Sequence, residues 1–135
     1  MSDMGDFEGL ADLLENASVS IHLVGRDGTV LWANRQELEG MGYASEEYVN
    51  KNIKQFHANE EVINDILARL LRFEEIKNYP AILLTKEGKK KHVIISSNVY
   101  KKDGEFEHTR CFTSEVNEDI FNVVKSTSPY TRQFS

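Results

Sequence analysis

Apolar positions along the chain follow two rhythms. Residues 19–24 alternate Val19, Ile21 and Leu23 against Ser20, His22 and Val24, the period-two pattern of a strand. Asp27-Gly28 supplies a tight turn, and 29–33 is a second β-rich run, so the two predict a hairpin. Ahead of them, Phe7, Leu10, Ala11 and Leu14 stand at helical spacing behind Asp6, which predicts a short capped helix. The middle of the chain is helical in pattern. Ser45 is placed to cap one helix, with Glu46 and Glu47 opposing its dipole. Asn59 is placed to cap another, whose stripe of Ile63, Ile66, Leu67 and Leu70 turns Asp65 and Arg69 outward. Asn78 and Pro80 lie beyond its end. Three β-rich runs close the pattern, 79–85, 91–100 and 105–115, separated by Glu87-Gly88 and Asp103-Gly104. Strands at both ends with helices between predict an α+β fold, one antiparallel sheet with helices on one face. After Asp119 the periodicity fades into Ser126-Thr127-Ser128-Pro129, the pattern of a linker or tail.

Composition narrows the function classes. The chain has 135 residues, enough for one domain, and 40% are hydrophobic, enough for one core without a disulfide or metal staple. A net charge of −6 argues against nucleic acid and anionic lipid as partners. Lys89-Lys90-Lys91 flanks a turn and reads as a solvated charge run. The single cysteine, Cys111, has no internal partner for a bridge. No apolar run reaches the ~20 residues of a membrane-spanning helix. The acidic start (Asp3, Asp6, Glu8) is the opposite of a secretory signal, so a cytoplasmic protein is expected.

Several short stretches, in order, resemble the PAS domain of bacterial sensor histidine kinases: Asp27-Gly28 with the run 30–34, Gly42-Tyr43 before Ser45-Glu46-Glu47, Phe56-His57, and Lys86-Glu87-Gly88-Lys89. The most specific is Gly104-Glu105-Phe106 followed by His108-Thr109-Arg110-Cys111-Phe112-Thr113. The resemblance covers residues 13–119. Two stretches depart from the family pattern: Asn50 stands where glycine is usual, and Glu115-Val116-Asn117 where the closing aspartate-hydrophobic-threonine motif is usual. The resemblance implies the strand order 2-1-5-4-3 and a division into an N-terminal flanking helix (1–16), the PAS domain (17–119) and a C-terminal linker or tail (120–135). It implies a sensory or regulatory module that binds a small ligand or a partner and relays the result to a kinase or other effector. The alternative is a ligand-free dimerisation module.

Projected onto the family's geometry, the ligand pocket takes His22 and Val24 from the first strand and Leu83, Val93, Ile95 and Ser97 from the next two. Thr109, Cys111 and Thr113 come from the last strand, and Ile53, His57, Ile63 and Leu67 from the helical segment. Such a lining suits a small molecule and equally suits a filled core. Ile53 stands where flavin-binding light sensors carry their reactive cysteine, so thiol–flavin adduct chemistry is excluded. Residues 60–76 contain no histidine to hold haem, with His57 just outside. Haem and non-covalent flavin are therefore disfavoured, and a colourless protein is expected. Cys111, mid-strand, has the setting of an inert structural thiol. His108 and Arg110 face the other way, either as a polar patch or as a solvated strand face. Only His22 and Cys111 offer chemistry inside, with no carboxylate and no metal spacing, so an enzyme is not expected. A homodimer is expected, with Phe7, Leu10, Ala11 and Leu14 sharing an interface with Ile21 and Leu23 of the outer sheet face.

Overall fold

Five strands pair antiparallel in one sheet: β1 (Ser20–Val24), β2 (Val30–Ala33), β3 (Ile76–Leu84), β4 (Lys90–Lys102) and β5 (Glu105–Glu115), in the spatial order β2-β1-β5-β4-β3. Helices α1 (Asp3–Asn16), α2 (Arg35–Met41), α3 (Ser45–Tyr48), α4 (Glu60–Leu71) and α5 (Glu118–Thr127) and a 3-10 turn (Ile53–Phe56) complete the described residues. The computed structural model describes residues 3–130, with side chains from residue 8 onward. Both the α+β class and the strand order agree with expectation.

Strand alternation decides which side is the core. Val93, Ile95 and Ser97 of β4 are buried, as are Thr109, Cys111 and Thr113 of β5, while their neighbours are exposed or half-buried. The register brings Ile95 opposite Thr113, Ser97 opposite Cys111, and His22 opposite Cys111 on the other side. Period-two pleating then sends all of these to one face. The β4–β5 hairpin turns at Asp103 (φ 54°) and Gly104 (φ 78°). Positive φ at both central residues matches the strand twist and favours Asp-Gly. Pro80 lies inside β3, which tolerates it because β3 is an edge strand.

The helices cover this face. Ile63, Ile66 and Leu70 of α4 are buried, and Asp65 and Arg69 pair outward at 2.8 Å. Burying each such side chain contributes about 1.5–3 kcal/mol. Asn34 caps α2 by accepting from Glu37 N at 3.0 Å. It also accepts from Ile21 N and donates to the carbonyls of Leu14 and Val19. One buried amide thus ties α1, β1 and α2 together.

Several expected caps differ. Asp6 lies within α1 rather than at its start. The cap of α3 is Ala44, not Ser45, and the Glu47 carboxylate accepts from Ala44 N at 2.8 Å. Asn59 occupies the cap position of α4 without a side-chain hydrogen bond. Asn50 adopts φ 69°, so asparagine here takes the left-handed conformation that glycine usually supplies.

The largest difference is at the C-terminus, where residues expected to lack periodicity form α5. Asn117 caps it through Ile120 N, and Phe121 is buried with its ring edge-on to His92 at 4.8 Å. His92 alternates with inward Val93, so α5 lies on the outer side of β3 and β4. The chain then rounds the β3 edge. Tyr130 stacks on Tyr79 at 4.6 Å, its hydroxyl accepts from Lys77 N, and Arg69 sits over the ring at 5.0 Å.

Candidate functional site

Between the sheet and the helices lies a small cavity of about 20 Å³, room for the centre of one water-sized molecule. β1 contributes His22 and Val24, β3 Leu83, β4 Ile95, and β5 Thr109, Cys111 and Thr113. The opposite wall is Ile63, Ile66, Leu67 and Leu70 of α4, with Ile53, Phe56 and His57 from the 3-10 turn and its cap. Glu37 of α2 and Tyr48 of α3 close the end. The wall is mostly apolar, which gives the few polar groups unusual weight.

Glu37 is 2% exposed, so its carboxylate is an ionisable group inside the core. Tyr48 donates its hydroxyl proton to Glu37 Oε2 at 2.5 Å, and His22 Nδ1 lies 3.3 Å from the same oxygen. That second contact is close enough for charge attraction but is not aligned as a hydrogen bond. Burial pushes the Glu37 carboxyl up, yet the His22 and Tyr48 interactions outweigh it and hold the group below its ordinary value. Burial likewise opposes charge on His22, but Cys111 and Glu37 overcome it and push the imidazole up to about 10. The Tyr48 phenol is raised well above its ordinary value by burial and by Glu37, so it stays a donor. The result is a buried imidazolium–carboxylate pair steadied by a phenol.

His57 behaves oppositely. Burial, then the nearby positive His22, drives its imidazole down to about 3, so the ring is neutral. Its backbone bridges to Leu83, which fixes the residue in the wall. His57 Nδ1 and Thr113 Oγ1 are buried with no hydrogen-bond partner. Among the described residues, no group of three or more His, Cys, Asp or Glu side chains is arranged to hold a metal ion.

The PAS domain family matches residues 18–118. The chain belongs to the PAS domain family. No curated protein matches its sequence. Among solved structures it is similar to the PAS domain of an HTR-like protein from Haloarcula marismortui, at 19% identity, covering 84% of this chain and 93% of that one, with a TM-score of 0.72. A PAS domain from a two-component sensor histidine kinase superposes with TM-score 0.69 at 14% identity, over 85% of this chain and 100% of that one. The light-oxygen-voltage domain of the blue-light photoreceptor Aureochrome1 superposes with TM-score 0.73 at 14% identity, over 87% and 89%. At these identities the likeness establishes the fold.

In this PAS domain, eleven of the expected pocket residues line the cavity: His22, Val24, Ile53, His57, Ile63, Leu67, Leu83, Ile95, Thr109, Cys111 and Thr113. Val93 and Ser97 are buried on the same face but do not reach the cavity. The expectation that no carboxylate lies inside is overturned by Glu37. Tyr48, Phe56, Ile66 and Leu70 were also missed as lining. The residues present do not suit a flavin or haem as they stand, because about 20 Å³ is far below the size of either ring system. Of the expected interface residues, Leu10, Ala11 and Leu14 are exposed on α1. Ile21 is buried and Leu23 half-buried on the outer side, where Ile21 pairs with exposed Phe112. The Phe7 side chain lies outside the described residues.

Proposed function

We propose that this PAS domain is a sensory input module rather than an enzyme, taking a small ligand into its core and relaying its occupancy to an effector such as a kinase. The observation that carries this reading is the His22–Glu37 pair inside an apolar wall. A buried ion pair is commonly no more stabilising than apolar residues of the same volume, so a core built for stability alone has little use for one. Polar atoms at His57 and Thr113 offer the same space further hydrogen bonds. The small cavity would have to widen, by rotation of Leu67 or Leu70, for anything larger than a water-sized molecule to be held.

The test is native mass spectrometry and an absorption spectrum of the purified chain, followed by thermal-shift screening of small polar molecules. A non-covalent adduct, or a stabilising ligand whose effect His22→Leu removes, is the expected result. A bare mass with no stabilising compound would overturn the ligand reading. In that case the second reading stands, a ligand-free association module. It is favoured by the small cavity and by Leu10, Leu13 and Leu14, which lie exposed along α1. In either reading the working form is a homodimer in the cytoplasm. Among the described residues, no helix is long and apolar enough to cross a membrane.

A further inference from the structure

His22 and Cys111 are directly opposed across the β1–β5 ladder, and both side chains line the same cavity. His22 Nδ1 in turn lies 3.3 Å from Glu37 Oε2. Thiol, imidazole and carboxylate therefore stand in sequence, the arrangement in which an imidazole accepts a thiol proton and a carboxylate holds the resulting charge. A second observation points to a small occupant beside the sulfur. His57 Nδ1 and Thr113 Oγ1, on residues more than nine-tenths buried, line the same space without partners. The cavity's size selects among thiol reagents, since about 20 Å³ admits a molecule close to water in size and excludes bulky ones. Hydrogen peroxide is the small neutral oxidant that fits this limit best.

We propose that Cys111 is a peroxide-reactive thiol, oxidised to the sulfenic acid inside the cavity, with His22 holding the thiol proton and Glu37 positioning His22. The thiolate sulfur attacks one peroxide oxygen, so an S–O bond forms as the O–O bond breaks. The departing hydroxide takes the proton that His22 received and leaves as water. Sulfur gives up two electrons and the peroxide accepts them. His57 and Thr113 offer hydrogen bonds to the peroxide oxygens. The product places a polar oxygen within an apolar core, a change the surrounding helices must accommodate. This chemistry is independent of whether an organic ligand also enters.

Cys111 is the chain's one cysteine, so thiol chemistry reads a single site. The intact chain is exposed to hydrogen peroxide for timed intervals, the excess is removed with catalase, and the chain is then unfolded in urea with dimedone, so that the adduct read by intact mass reports how much Cys111 was oxidised beforehand. The folded protein is expected to label faster than the same chain unfolded in urea. His22→Gln and Glu37→Gln should slow the folded rate by about a hundredfold, the lower end of what a positioned proton acceptor contributes. Both should leave the unfolded rate unchanged. The pH profile separates positioning from packing: Glu37→Gln should make a rate that is level near neutrality climb with pH, and Glu37→Asp should restore part of the level profile. Labelling slower in the folded than in the unfolded chain, or rising with urea in step with unfolding, would overturn the proposal. Should His22→Gln fail to fold by circular dichroism, the ultraviolet thiolate band of the unmodified protein decides. Thiolate present where the unfolded chain is still protonated supports the proposal, and identical titrations overturn it.

Discussion

Raising the pH strips a proton from His22 that the folded state holds more tightly than the unfolded chain does. Its pKa stands at about 10 folded against an ordinary 6.5. The stability this confers is therefore complete below pH 6.5 and is lost as pH rises through 10. A single proton is worth about 1.4 kcal/mol per pH unit, so the loss across the window is roughly 3–5 kcal/mol. That is a large share of the ~5–15 kcal/mol that holds a domain together. On the acid side, Glu37 and His57 both stand below their ordinary values. They contribute stability above those values that is lost as pH falls, so the maximum lies near pH 6.5. Urea unfolding from pH 5 to 10, read by circular dichroism and by the fluorescence of Trp32, the one tryptophan, measures this curve. Glu37→Gln removes the carboxylate while keeping its volume. It should destabilise the protein at neutral pH by about 3 kcal/mol, the scale for breaking a buried pair, and make the alkaline limb shallower, Cys111 still holding part of the shift. An unmodified protein of constant stability between pH 6.5 and 10 would refute the reasoning. So would a variant that keeps the slope. A slope abolished only by Cys111→Ser would make the thiol, not Glu37, the partner that holds the proton.

Three further outcomes are expected. Asn34→Ala leaves Ile21 N and Glu37 N without their acceptor, which should cost about 3 kcal/mol in urea unfolding. Tyr130→Ala removes the stack on Tyr79 and the bond from Lys77 N, and should lower stability by about 1–2 kcal/mol with little effect on the His22 titration followed by NMR. Deleting residues 1–16 removes the exposed leucines of α1, and should convert a dimer to monomer or aggregate in light scattering.

The sheet was legible because three X-Gly turns and clean period-two runs leave little freedom in pairing, and most of the pocket followed from the same alternation. Glu37 was not, because Arg35-Gln36-Glu37-Leu38-Glu39 is so polar that no stripe marks an inward face. The available signal was Asn34 three residues before Glu37, the spacing of a capping box. There the carboxylate of such a pair normally turns back to the cap; here it turns inward to Tyr48 and His22. α5 was hidden for a similar reason. Its Phe121 is the one buried side chain of a helix whose Ile120 and Val123 face solvent. Its docking depends on the outer sheet face, which local pattern does not report.

The position of Tyr130 has a mechanical consequence. Its ring is clasped between Tyr79 and the Arg69 guanidinium, and Arg69 projects from the same helix whose Leu67 and Leu70 form the cavity wall. Arg69 is itself braced by Asp65 at 2.8 Å and Glu74 at 2.6 Å, so it cannot follow the tyrosine independently of α4. Wall and latch are opposite sides of one rigid rod. The cavity wall and the clasp on residue 130 therefore hang from a single support, since Leu67, Arg69 and Leu70 all belong to α4.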